Sequence, residues 1–317
     1  MIAKTRKSLA GAPTPMAGLA LGIASLGWCW ENAGQFDGNI QLLGAGVAAA
    51  LLLILTFKFL LHPSLLLQDL AHPVVGSVVP TYAMGTMVVS KALGMLAPQA
   101  GEILWLFAVV LHLLFLATFI WHRAKEFEIH HMVPSWFVPP VGIIVADVAF
   151  PGGQFAPLAN GLLWFGLICY GLMLPLMIYR LIFSLEVPDA AKPTIAIMAA
   201  PASLSLAGYL TVSQDPSLLL VAVLLGVALL MTVIIYLAFT KLLRLPFSPG
   251  YAAFTFPLVI GATALFKVAH LLESWPQAAH YVEQIRVLAY VELVVATVIV
   301  GYVALRYMMF FLLQRKP

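Results

Sequence analysis

The sequence predicts an all-α integral membrane protein. It has ten transmembrane helices as five repeated helical hairpins, with five proline-kinked inner helices around a central pore and five straight outer helices surrounding them. Three observations carry this expectation. Of 317 residues, 62% are hydrophobic and 9% charged, with a mean hydropathy of +1.01, whereas an ordinary soluble domain carries about 25% charged residues. The chain divides into apolar stretches near the roughly 20 residues that cross a bilayer as a helix. Prolines recur along it with a period of about 60 residues.

The spans are read as 13–31, 40–61, 73–92, 102–122, 134–150, 157–183, 193–212, 216–240, 250–272 and 284–312. Before them, MIAKTRKSLA is basic in the manner of a signal peptide, but the apolar run that follows is too long and lacks a small-residue cleavage site. Residues 1–12 are therefore taken as a short basic cytoplasmic tail, 313–317 as a cytoplasmic C-terminus, and 1–317 as one transmembrane domain. Span 1 starts at Pro13 and carries Gly18 and Gly22; span 2 contains the uniformly apolar QLLGAGVAAALLLILTF. Span 3 starts at Pro73 and has Pro80 deeper, and span 4 holds His112. The connection after it, HRAKEFEIHH over 122–131, reads as a solvated loop without a regular metal-ligand spacing. Span 5 starts at Pro134, contains Pro139 and Pro140, and places Asp147 near its outer end as a snorkelling interfacial residue, or else a proton-coupling carboxylate. Span 6 is the even span with an interior proline, Pro175. Span 7 starts at Pro193 and has Pro201, and span 8 contains DPSLLLVAVLLGVALLMTVIIYLAF. Span 9 follows Pro249 and reads AAFTFPLVIG over 252–261, with Pro257 directly after Phe256. Span 10 carries Glu292, level with Lys267 of span 9 if the two are antiparallel; an intramembrane charge seeks a partner, so the two are expected to form a structural ion pair.

Pro13, Pro73, Pro134, Pro193 and Pro249 thus mark the starts of the odd spans, 60, 61, 59 and 56 residues apart. Interior proline removes a backbone hydrogen bond and bends the axis, which hydrocarbon tolerates only where protein or water covers the freed groups. The odd spans are therefore expected inside and the even spans against lipid. A solid bundle of kinked helices is the competing arrangement. With both termini cytoplasmic, only Lys91, Lys267 and Arg286 of the 16 Lys and Arg fall outside, in accord with the positive-inside rule.

The net charge of +3, spread along the chain, gives no reason to expect a nucleic-acid partner. Cys29 and Cys169 lie within apolar spans and form no disulfide framework or metal spacing. The histidines gather near the inner loops rather than facing each other at mid-membrane, which argues against a haem enzyme. No cofactor, metal or catalytic residue is expected.

Span 9, at Ala253-Phe254-Thr255-Phe256-Pro257, resembles the aromatic-Ser/Thr-Phe segment of the TehA-like tellurite-resistance and dicarboxylate transporter family, which includes the plant guard-cell slow anion channels. Pro13 with Gly18, Leu21 and Gly22, His72-Pro73-Val74 with Ser77, Thr86 and Met87, Pro134-Ser135-Trp136-Phe137-Val138-Pro139, and Ala200-Pro201-Ala202 agree with that family in order along nearly the whole chain. Departures fall at Ala252 and Ala17, where relatives carry aromatics, and at the deep proline of span 3, which comes early. The resemblance implies a homotrimer in the bacterial inner membrane. Each protomer would have its own pore, blocked at mid-depth by Phe256 and lined or kinked at Gly18, Gly22, Pro80, Pro139, Pro140, Pro201, Phe254 and Pro257. The expected function is a gated channel for small inorganic or organic anions. The alternative is a proton-coupled or facilitated carrier exporting C4-dicarboxylate, sulfite or tellurite-related oxyanions. Because no odd span carries an evident ring of Lys or Arg at mid-depth, the positive groups must be the N-terminal NH groups of half-helices.

Overall fold

The computed structural model describes residues 6, 8–275 and 278–314, and every regular element among them is a helix. Lys4 and Lys7 of the basic tail, and Arg315 and Lys316 at the C-terminus, lie outside the described residues. Seven helices among the described residues are long and apolar enough to cross a membrane: Asn39–Leu61, Pro98–Lys125, Gly153–Phe183, Lys192–Val212, Leu218–Leu242, Pro249–Glu273 and Ala279–Phe311. An eighth candidate is the pair Pro63–Ala71 and Val75–Leu96, bent by 106° at the break between them. Two shorter apolar helices, Met16–Trp30 and Pro134–Val148, fall where spans 1 and 5 were expected.

The two helix classes differ as their prolines dictate. The even spans are continuous α-helices, and even Pro175 sits within the unbroken Ala156–Phe183. Spans 5, 7 and 9 instead begin as 3₁₀ turns, over Pro134–Phe137, Lys192–Ala199 and Pro249–Phe254, and convert to α-helix deeper. A 3₁₀ run beyond about four residues is uncommon; that of span 7 extends for eight. Pro193 and Pro249 fix φ at the first turn, and Pro201 and Pro257 withhold the N–H that would carry α-helical bonding back into it. Span 5 alternates the two forms to its end at Val148.

Burial separates the classes further. The most apolar windows of spans 7 and 9 are 78% and 89% buried, against 28% to 39% for the even spans. The even helices turn Leu43, Phe107, Leu172, Leu219 and Val298 outward, as a lipid-facing surface requires. Inner helices contact one another in a closed circuit: Met16–Trp30 touches Thr81–Leu96, which touches Val145–Val148, then Ala200–Val212, then Phe256–Glu273, which returns to Met16–Trp30. Each inner helix also packs on the outer helix that follows it in sequence.

One element departs from the sequence reading. Residues 63–71, taken as part of a connection, form the helix Pro63–Ala71, with Pro63 in its first turn, where its missing N–H is harmless. The helix exposes Leu67.

Candidate functional site: a cavity lined by the odd spans

Between the inner helices lies a cavity of about 360 Å³. Its lining comes wholly from the odd spans and the turns that lead into them. Each odd span contributes to its lining, among others Leu21, Met84, Gly142, Leu204 and Phe256, and the lead-in turns contribute Pro13, Val74 and Ser248. Thr81, Thr194 and Ser248 are the hydroxyl side chains on the wall, and among the described residues no charged side chain lines it.

Thr81, Ala200 and Phe256 are each the first residue of an α-helical stretch of at least 13 residues, and each lines the cavity. The residues before them, Pro80, Ala199 and Thr255, are already αR, so these are conversions within a continuing helical path rather than free helix ends. Pro80 precedes Thr81–Leu96, and Pro201 and Pro257 occupy the first α-helical turn of their spans.

Phe256 stands at the hand-over from 3₁₀ to α-helix and is 7% exposed, on the cavity side. Its backbone is held from span 1. Thr255 Oγ1 donates to the Ala252 carbonyl at 2.7 Å and lies 3.1 Å from that of Gly18. A Cβ at Gly22 would come within 2.4 Å of Thr255 Oγ1, so Gly22 is glycine because the break in span 9 presses on it. Gly18 and Pro201 line the cavity, whereas Gly22 does not, and Met16–Trp30 continues through both glycines without a kink. Pro139 and Pro140 lie behind the lining residues Val138 and Val141. The carbonyl of Pro139 is 2.8 Å from His112 Nε2, a fully buried side chain from outer span 4. Sequence reasoning gave His112 no role; a lone imidazole on an apolar helix was the available signal.

Four side chains stand elsewhere than the sequence suggests. Phe254 is fully buried with its ring 5.3 Å from Phe239 and 4.7 Å from Tyr251; it packs on outer span 8 and is absent from the cavity wall. Lys267 and Glu292 form no ion pair. Glu292 lies against Gly261, where a Cβ would meet its Oε2 at 2.4 Å. Lys267 is six residues farther along, about 9 Å at 1.5 Å per residue. Asp147 is fully buried with neither oxygen hydrogen-bonded among the described residues, so it does not snorkel.

The even spans repeat a contact with the turns that lead into the inner helices. Near its C-terminal end each even span carries a basic residue: Lys58, Arg123, Arg180, Lys241 and Arg306. Lys58 Nζ donates to Thr14 at 2.8 Å and pairs with Asp69 at 3.5 Å. Arg123 donates to the Ala71 carbonyl at 2.5 Å, and Arg180 to those of His130 (2.8 Å) and Leu185 (2.7 Å). Arg306 stacks over Phe247 with 5.1 Å to the ring centroid. In these four hairpins the cation holds the turn that leads into its own inner helix; Lys241 is exposed. Lys58, Arg123 and Arg180 are buried, and neither arginine has a carboxylate partner among the described residues.

Lipid-facing outer helices, a buried ring of inner helices and an uncharged axial cavity define a multi-pass membrane protein of the transport class. The family model described as voltage-dependent anion channel, SLAC1, matches residues 15–308, and the chain belongs to that family. Two uncharacterised transporters of Methanocaldococcus jannaschii are similar to it. One is 26% identical over 236 residues, covering 65% of this chain and 68% of the relative. The other is 27% identical over 221 residues, covering 61% and 62%.

Proposed function

We propose that the chain is a gated anion channel. Ten membrane-spanning helices form five hairpins, the odd helices surround a pore, and Phe256 closes it. The observation that carries this reading is the cavity itself, lined from all five odd spans with Phe256 on its wall. The 15 residues of Met16–Trp30 extend about 22 Å; a helix enclosed by protein need not match the roughly 30 Å hydrocarbon thickness, because neighbouring helices satisfy its ends. An apolar lumen without fixed charge binds anions weakly, and weak binding suits conduction, since the ion must also leave. Two buried guanidiniums without carboxylate partners among the described residues, Arg123 and Arg180, add positive potential at the lead-in turns. At an effective dielectric of about 20 and a separation of about 10 Å, one unit charge is worth roughly 1.7 kcal/mol.

In this reading the lead-in turns of the odd spans are cytoplasmic, both termini are cytoplasmic, and the protein works as a homotrimer in a bacterial inner membrane with one pore per protomer. Recordings with anion substitution on Phe256→Ala and wild type test the reading: the substitution should raise anion current.

The carrier reading, for C4-dicarboxylate, sulfite or tellurite-related oxyanions, is favoured by one observation. Asp147 and Glu292 are buried carboxyl groups with oxygens that have no hydrogen-bond partner among the described residues, as proton-binding groups of a coupled carrier would be. Unitary current steps would exclude it, and proton uptake in step with anion flux would establish it.

A further inference from the structure

The connection between spans 4 and 5 was read from sequence as a solvated loop, and its ligand spacing, Glu-x-His-His, is irregular. The fold nevertheless brings these side chains together. Ile129–His131 forms a single 3₁₀ turn, closed by the His131 N–H on the Glu128 carbonyl (3.0 Å) and the Met132 N–H on the Ile129 carbonyl (3.1 Å). Its backbone is fixed from the protein side. Arg180, 1% exposed, donates to the His130 carbonyl, and Met132 and Val133 are buried immediately after the turn. On the solvent side, Glu128 Oε2 lies 3.1 Å from His130 Nε2 and 4.0 Å from His131 Nε2, and the imidazole centroids are 4.4 Å apart. One ligand atom from each residue falls within 4.8 Å of the other two. His131 Nδ1 is buried without a hydrogen-bond partner, so neither of its nitrogens is committed to another contact.

We propose that Glu128, His130 and His131 form a binding site for a divalent transition-metal ion, with Zn²⁺ as the fitting ion. Two imidazole nitrogens and one carboxylate oxygen are the donors zinc takes, at about 2.0–2.2 Å, and a three-ligand set leaves a fourth position for water. Tetrahedral bonds of that length put ligand atoms roughly 3.3 Å apart. Closing the site therefore needs a shift of about 1 Å in exposed side chains on a backbone already fixed. The bound ion would stiffen the turn that runs directly into span 5, which supplies Phe137, Val138, Val141 and Gly142 to the cavity wall. On the channel reading above, zinc applied to this face therefore alters the current; the binding itself does not depend on that reading.

Calorimetric titration of the purified, untagged full-length chain with ZnCl₂ alone separates the two. The expected result is one saturable site per chain. His130→Ala with His131→Ala abolishes it, Glu128→Gln weakens it at least about tenfold, and His122→Ala, a half-buried histidine on span 4, leaves it unchanged. These side chains are partly or largely exposed, so the variants should melt with the wild type in the absence of zinc. Zinc binding that survives the double substitution, or no saturable binding up to about 1 mM, overturns the site. Site-specific binding without any change in current would leave the site standing and remove only its link to the pore.

Discussion

Phe256 and Phe254 are two residues apart and meet opposite surroundings, one on the cavity wall and one wedged between Phe239 and Tyr251. At 100° to 120° per residue, two positions turn a side chain through more than half a circle. The proline after Phe256 was legible as a local break. Which phenyl ring faced inward was not, because that depends on where 3₁₀ gives way to α-helix. The Lys267–Glu292 pairing failed for a similar reason: equal depth was inferred from span boundaries, and an error of a few residues moves a charge by a full turn. Two predictions belong at this scale. Phe254→Ala should lower the melting temperature, with a cost of about 3 to 5 kcal/mol for a large core truncation, and leave current nearly unchanged. Gly22→Ala drives a methyl into Thr255 and should cost about 1 to 3 kcal/mol as overpacking, measured by thermal unfolding.

Among the elements, the odd and even spans were separable from the proline period alone. The structure gives that period a physical form in 3₁₀ lead-ins, deep α-helix starts and greater burial. Pro63–Ala71 escaped because nine residues, four of them leucines, are too few to stand out as a span. The basic residues at the ends of the even spans were legible only as topology signals; their grip on the lead-in turns needed coordinates. Arg180 tests whether that grip also serves conduction. Arg180→Gln removes both the charge and the contacts to His130 and Leu185. Arg180→Lys keeps the charge but cannot reproduce the planar fork. Anion current at low salt should fall several-fold in the Gln variant and be largely retained in the Lys variant, and the difference should shrink near 1 M salt, where the screening length is about 3 Å. Equal currents from the two variants at all salt concentrations would make the residue purely structural.

For the molecule as a whole, the inner ring and outer shell predict two classes of thiol accessibility once Cys29 and Cys169 are replaced. Thr194→Cys and Ala253→Cys, on the cavity wall, should react with small aqueous reagents. Val223→Cys, exposed on outer span 8, should be shielded by lipid. Equal reactivity would favour a solid bundle. Reporter fusions at Lys7 and Lys316 should both give a cytoplasmic signal, and a signal from the opposite side at either would remove the even-span topology. Hydropathy disclosed the membrane class, and the proline repeat suggested the hairpin unit. The five-sided closure was not legible, because it depends on contacts between helices about 60 residues apart in sequence.

The most direct test of the account records single-channel current and melting temperature together on Phe256→Ala, Phe256→Leu and wild type. A phenyl ring in an apolar constriction blocks by filling the lumen and by keeping it dry, and truncation removes both effects. The account predicts a strong rise in anion current for Ala, an intermediate rise for Leu and near-native melting for both. A destabilised and silent Phe256→Ala protein would contradict it.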